Sequence, residues 1–221
     1  MRLLFYFTSI LCFSSQPIHG QTTYPDLPEQ DYAIYTTIIN EFPNCSDTTY
    51  AYRQNKLLFI HATTEEKSPY GFRFDFAKAQ QELAHFLRPQ SLIHREPTFY
   101  KDLDWQRFLA SVDSSSFSRH TLSRTIDAQC QQTALWTDEK EQYYFSKETY
   151  MKRGFYALRN DYDNFGGIVR FSKVAYSEDA TKAICYYSEI TDGKAGAGYL
   201  LFLGKWSNGW KILGKAMLWI V

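Results

Sequence analysis

The feature that most limits what this chain can become is a change of hydrophobic period at Ile168. Ahead of it, apolar residues recur at three- and four-residue steps. Beyond it they fill four short runs, 168–176, 182–190, 198–206 and 210–220, rich in Val, Ile, Tyr and Trp. Runs of this length bounded by turn residues are strands. Their connections are Ser177-Glu178-Asp179, the glycine-rich stretch 191–197, and Asn208-Gly209. The last is a hairpin turn, because Asn-Gly accepts the positive φ angles that match strand twist. Placing Ser207 opposite Trp210 pairs Lys205 with Ile212, Leu203 with Gly214, Leu201 with Ala216 and Tyr199 with Leu218. That face is nearly all apolar and is predicted to meet helices. The other face mixes aromatics with lysines and is predicted to be half solvated or to line a shallow groove. Consecutive strands with short links predict a four-stranded antiparallel meander.

Upstream, Ile34, Ile38 and Phe42 form a helical stripe between Pro28 and Pro43, predicting a helix over 28–41. Residues 56–63 read as one buried strand. Asp75 caps a predicted helix bearing Phe76, Ala79, Leu83, Phe86 and Leu87. A shorter helix after Asp102 carries Trp105, Phe108, Leu109 and Val112, and another is expected over 146–159. Helices packed on a meander give an α+β fold in one domain, residues 21–221. With 44% hydrophobic and 22% charged residues, the chain has material for one ordinary core, and its zero formal charge lacks the basicity that nucleic acid or anionic membranes select.

The first twenty residues have the anatomy of a secretory signal peptide. Arg2 supplies a cationic start, Leu3 to Phe13 an apolar stretch, and Ser14-Ser15-Gln16-Pro17 a break before Gly20, after which cleavage is expected. The apolar stretch is about half the roughly 20 residues a membrane span needs, and no other segment is long enough either. The expected location is secreted or periplasmic. Cleavage would remove Arg2, taking the formal charge from 0 to −1, and Cys12, leaving Cys45, Cys130 and Cys185. Cys185 falls in an apolar strand pattern and reads as a buried thiol. Cys45 and Cys130 stand in polar surroundings and are the candidate disulfide in an oxidising compartment.

Motifs that carry chemistry are scarce. Glu82 and His85 have the Glu-x-x-His spacing of carboxylate-bridged metal sites, but such sites need a second copy. Asp161 and Asp163 begin like a calcium loop, yet Phe165 and Ser172 stand where oxygen ligands belong. No metal or cofactor is expected. Gly-x-Ser-x-Gly does not occur, and Ser118, His120 and Asp113 share one serine-rich loop without forming a recognisable triad. His61 and His94 have no partner motif. Tyr199, Trp206 and Trp210 remain as a candidate aromatic patch for a partner or ligand, set against ordinary cross-strand packing.

The block Phe165-Gly166-Gly167-Ile168-Val169-Arg170-Phe171, then Lys182-Ala183-Ile184-Cys185-Tyr186, Gly196-Ala197-Gly198-Tyr199 and Gly209-Trp210-Lys211-Ile212, resembles a family of exported bacterial proteins of uncharacterised function. That family often has a cysteine-glycine pair in the loop before the third strand. Here the loop has no cysteine, so any bridge there is missing. Helices followed by a curved meander also resemble cystatin-like and NTF2-like cones, which implies a pocket between helix and sheet. A shared fold does not transfer chemistry. The expectation is an exported, non-enzymatic domain that binds an unknown protein or small ligand. The alternative is a small hydrolase or isomerase using a cone-shaped pocket.

Overall fold

The computed structural model describes residues 24–41, 55–66, 102–112, 114–148 and 153–221. Among them the chain forms helices α1 (Glu29–Glu41), α2 (Leu103–Ser111), α3 (Asp138–Phe145) and α4 (Gly154–Asp161). The strands are β1 (Leu57–His61), β2 (Gln132–Trp136), β3 (Phe165–Phe171), β4 (Ala175–Tyr176), β5 (Lys182–Asp192), β6 (Ala195–Trp206) and β7 (Gly209–Ile220). The class is α+β. The sheet is mixed and wider than the sequence pattern implies, with order β2-β1-β3-β5-β6-β7 and β4 paired to β5. Its C-terminal strands run antiparallel, while β1 lies parallel to both β2 and β3.

Both faces of this sheet are covered, and strand alternation shows how. On one face Leu58, Ile60, Val169, Phe171, Ala183, Cys185, Tyr187, Leu201 and Leu203 pack with Tyr32, Ile34, Tyr35, Ile38 and Ile39 of α1. Tyr35 stacks on Phe171 at 4.1 Å and donates its hydroxyl to the Ser172 carbonyl at 2.7 Å. On the other face Ile184, Leu200, Phe202 and Ala216 meet Trp105 and Phe108 of α2. Farther along that face, Phe59, Trp136 and Ile168 meet Tyr144 and Leu158 of α3 and α4. Each such side chain, fully buried, contributes about 1.5–3 kcal/mol. Of the face predicted to be half solvated, Leu200 and Phe202 are core, whereas Trp206, Lys211, Lys215 and Met217 are exposed.

Helix α2 starts where predicted, with the Asp102 carboxylate accepting from the Asp104 amide at 2.7 Å. Asp102→Ala is expected to cost about 1 kcal/mol, read as a lower urea midpoint with unchanged m-value. The helix expected over 146–159 corresponds to α4, which begins at Gly154, and α3, which ends at Phe145, has no counterpart among the expected elements. Strand β2 has no counterpart among the expected elements. The helix expected after Asp75 lies outside the described residues.

The last hairpin keeps its position but not its register. Trp206 pairs with Gly209, so the turn residues are Ser207 and Asn208, and Gly209 takes the positive φ of 114°. Two irregularities follow, between Phe202 and Leu203 and between Gly198 and Tyr199. They leave Leu203 with Ile212 and put Leu201 with Lys215 and Tyr199 with Met217.

Candidate functional site

One row of residues crosses the face that carries α2, α3 and α4, and it separates the two hydrophobic clusters there. Register aligns Trp136 with His61, Arg170 with Ser188, Ser188 with Gly198, and Gly198 with Trp219, and one step past the Ile60–Val169 pair sets His61 beside Arg170. The polar part of this row lies at the carboxyl ends of β1 and β3, where open sheets with parallel strands commonly hold ligands. The Arg170 guanidinium donates to Glu65 at 2.5 Å and to Glu141 at 3.3 Å. Glu141 also accepts from the Trp136 indole at 2.6 Å. Arg170 Nε and the Ser188 hydroxyl are buried and have no hydrogen-bond partner among the described residues.

His61 is 7% exposed, and its Nδ1 lies 3.2 Å from the Thr63 hydroxyl. Burial, and then the Arg170 charge, push its pKa down from 6.5 to about 3. An imidazole held neutral this strongly is a poor general base near pH 7. It also makes the fold acid-sensitive. The unfolded chain takes up the proton first, so stability is full above the ordinary histidine pKa and falls as pH drops from about 6.5 toward about 3. Urea midpoints across that window should decline in the wild type and decline less in His61→Gln.

His120 donates Nδ1–H to the Ser118 carbonyl at 3.0 Å, and its amide donates to Thr64. These bonds tie the loop to Thr64, and Asp113 lies outside the described residues. Glu82, His85 and His94 lie there too. Asp161 ends α4 and accepts from the Tyr144 hydroxyl at 2.6 Å. Among the described residues no cluster of His, Cys, Asp and Glu could hold a metal ion. No helix among them is long and apolar enough to cross a membrane. Cys185 is a free, buried thiol and Cys130 is disulfide-bonded. The Cys45 end of the expected pair lies outside the described residues.

The aromatic candidates do not form one patch. Trp206 is 46% exposed and lies over Gly204, where an added Cβ would meet its ring at 2.5 Å. Trp210 packs against Tyr176 on the α1 side, and Tyr199 stacks with Tyr187 on that same side. A lysine ammonium sits over each ring: Lys211 on Trp206, Lys205 on Trp210 and Lys215 on Tyr199. These contacts match the cross-strand packing alternative.

Among the described residues, two of the clefts concern this sheet and its helices. The larger, about 460 Å³, lies between α2 and the β4–β5 turn. Its charges answer one another: Arg107 pairs with Asp104, and Asp179 accepts from Ser177 and Thr181, which hold its carboxyl below the usual range. The smaller, about 290 Å³, lies where β1 and β3 begin, lined by Lys56, Leu58, Gln131, Arg159, Phe165, Gly166, Glu189 and Thr191. Its groups are less self-contained. Gln131 is 8% exposed, and its Oε1 is buried with no hydrogen-bond partner among the described residues. Lys56 makes no ion pair among the described residues. Arg159 is aimed by Asp192 at 2.8 Å and the Thr191 carbonyl at 3.0 Å.

This cleft owes its shape to a local irregularity. Leu57 pairs with Phe165 but Leu58 pairs with Gly167, so Gly166 is an extra residue, a bulge of the kind that re-aims strands beside sites. A Cβ on Gly166 would stand 2.8 Å from the Lys56 Cβ. One on Gly167 would stand 3.3 Å from the Glu189 carboxylate. The Gly-Gly pair inside an apolar run was the available sequence signal for this close approach. Lys56, Gln131, Arg159 and Glu189 carried none, being scattered over separate elements.

No family model matches the chain, and neither the curated proteins nor the solved structures searched gave a match.

Proposed function

We propose that this chain is an exported, non-enzymatic domain that binds a small polar ligand in the cleft beside the Gly166 bulge. The observation that carries this reading is the contrast between two polar groups of residues. At the carboxyl ends of the strands, the Arg170 charge is answered by Glu65 and Glu141 and His61 is held neutral, although Arg170 Nε and the Ser188 hydroxyl have no hydrogen-bond partner among the described residues. At the other end, Gln131 and Lys56 line an open cleft, and among the described residues the Gln131 Oε1 has no hydrogen-bond partner. Ligand pockets typically pair apolar walls with a few convergent polar groups, as Leu58 and Phe165 do here with Lys56 and Glu189. Helix α1, laid across the C-terminal antiparallel strands, supplies the scaffold. Export rests on the N-terminal segment and on the resemblance of the C-terminal strands to exported proteins.

A fragment screen read by amide chemical shifts tests the site. Shifts clustered on Gly166, Gly167 and Glu189 are expected, and a library that leaves them all unmoved overturns the reading. Cell fractionation tests export, and an uncut chain in the cytoplasm overturns it. The rival hydrolase or isomerase is favoured by one observation, the His61–Arg170–Ser188 row. Ser188→Ala separates the two. A structural Ser188 whose hydroxyl is buried and unpartnered should be replaceable with no loss of stability, or a gain up to about 1 kcal/mol. A catalytic Ser188 would show instead as lost turnover of ester substrates.

A further inference from the structure

We infer that Asn208, at the tip of the last hairpin, is a modification site whose side-chain amide is converted, without an enzyme, to a mixture of aspartate and isoaspartate. The chain has two places where a glycine nitrogen follows a side chain able to close a succinimide ring on it, Asp192-Gly193 and Asn208-Gly209. Glycine leaves that nitrogen unshielded because it has no Cβ. Both pairs stand at hairpin turns: Asp192 ends β5 ahead of β6, and Gly209 opens β7 after β6. Their surroundings differ. The Asp192 carboxylate pairs with Arg159 at 2.8 Å and accepts from the Gly193 amide at 2.5 Å, and these bonds hold it below the usual carboxylate range. An ionised carboxylate is a poor electrophile, and the nitrogen that would attack it is already donating to it. Asn208 is exposed, and its neutral carboxamide makes no hydrogen bond among the described residues. Gly209 has a φ of 114° and open space beside it, with nothing within 4 Å of where a Cβ would stand. By contrast, Asn40 accepts from the Gln129 amide, Asn164 donates to the Asn55 carbonyl, and neither precedes a glycine.

The reaction needs only water as co-reactant. The Gly209 nitrogen attacks Asn208 Cγ, the new N–C bond forms, the Cγ–Nδ2 bond breaks, and ammonia leaves with the proton the glycine nitrogen gave up. Water then opens the ring at either carbonyl. Opening at Cγ leaves ordinary aspartate, and opening at the main-chain carbonyl leaves isoaspartate, with the chain running through the former side chain. Residues 193–221 contain four lysines and no Asp or Glu, so the product is the first acidic side chain in that stretch. Isoaspartate also adds a main-chain carbon inside a turn that the Trp206–Gly209 pair closes, at the edge strand of the sheet.

The test is peptide mapping by mass spectrometry of the purified protein, held folded or in concentrated urea at mildly alkaline pH, with aspartyl and isoaspartyl peptides separated by chromatography. In the folded protein Asn208 is expected to lose its amide ahead of Asn40 and Asn164, while Asp192 keeps its normal linkage. Asn208→Gln, which would have to close a larger ring, should stay unconverted at that position with an unchanged thermal midpoint. Folded-state conversion of Asn208 within about tenfold of the rate in urea supports the inference. A larger gap, more than about 1.4 kcal/mol of added barrier, means that the turn shields Asn208 and overturns it. Conversion of Asn40 or Asn164 ahead of Asn208 overturns it as well, and so does isoaspartate forming at Asp192 as fast as at Asn208.

Discussion

Arg170→Met is expected to destabilise the fold by about 3–5 kcal/mol, because it removes the one cation from between two carboxylates while keeping most of the aliphatic stem. Glu65 is only 13% exposed and Arg170 16%, so water screens this pair poorly. Glu141 is 37% exposed and also holds the Trp136 indole, so its share of the loss should be smaller. Adding Glu65→Gln to Arg170→Met should recover part of the loss by removing the orphaned charge. Urea unfolding of the three proteins measures this, and a single-variant loss below about 1 kcal/mol would mean the network behaves like a surface pair. The substitution also acts on His61. Arg170 helps hold that imidazole neutral, so without it the folded pKa rises toward 6.5 and the acid limb of stability becomes shallower. Both effects from one change would tie the row together energetically.

What was legible in the sequence was local. The stripe on α1, the start of α2 after Asp102 and the existence of β5, β6 and β7 all follow from residues a few positions apart, where side-chain period and backbone chemistry act directly, whereas the single strand expected over 168–176 is instead β3, ending at Phe171, and the separate short β4. What was illegible depended on distant pairing. Strand β2, Gln132–Trp136, has no strict alternation, and it is held by a parallel ladder to β1, whose residues lie far upstream. The second face of the hairpin looked half solvated because lysines alternate with aromatics there. The irregularity between Phe202 and Leu203 changes that pairing, and Trp105 and Phe108 arrive from outside the block to cover Leu200 and Phe202. The cleft was hidden for the same reason, since only Gly166-Gly167 marks it in the linear chain. The ion-pair network had even less signature: Glu65, Glu141 and Arg170 are ordinary surface residue types until three separate elements bring them together.

Asp31→Ala should cost about 2–4 kcal/mol, and Asp31→Asn should not. Asp31 is a fully buried residue of α1 whose carboxylate accepts from the Val174 amide at 3.0 Å and from the Tyr176 hydroxyl at 3.0 Å. Alanine leaves both donors buried and unanswered, each at roughly 1–3 kcal/mol. Asparagine has nearly the same shape, its oxygen still accepts from Val174, and the Tyr176 hydroxyl can turn to accept from the amide. It also removes a charge that burial disfavours. Burial raises the Asp31 pKa above 3.8, outweighing the two hydrogen bonds that lower it. The unfolded chain therefore loses this proton first as pH rises. Protonated Asp31 favours the fold below the ordinary carboxylate pKa, and that contribution is lost as pH climbs through the folded value. The stability of Asp31→Asn relative to wild type should thus improve from about pH 4 to about pH 7, opposite in sense to the His61 contribution over the same window. Urea midpoints at those two pH values decide it. An asparagine variant that loses ground with rising pH would show that hydrogen bonding, not desolvation, governs this carboxylate, and that α1 is fastened to β4 by an ionised group.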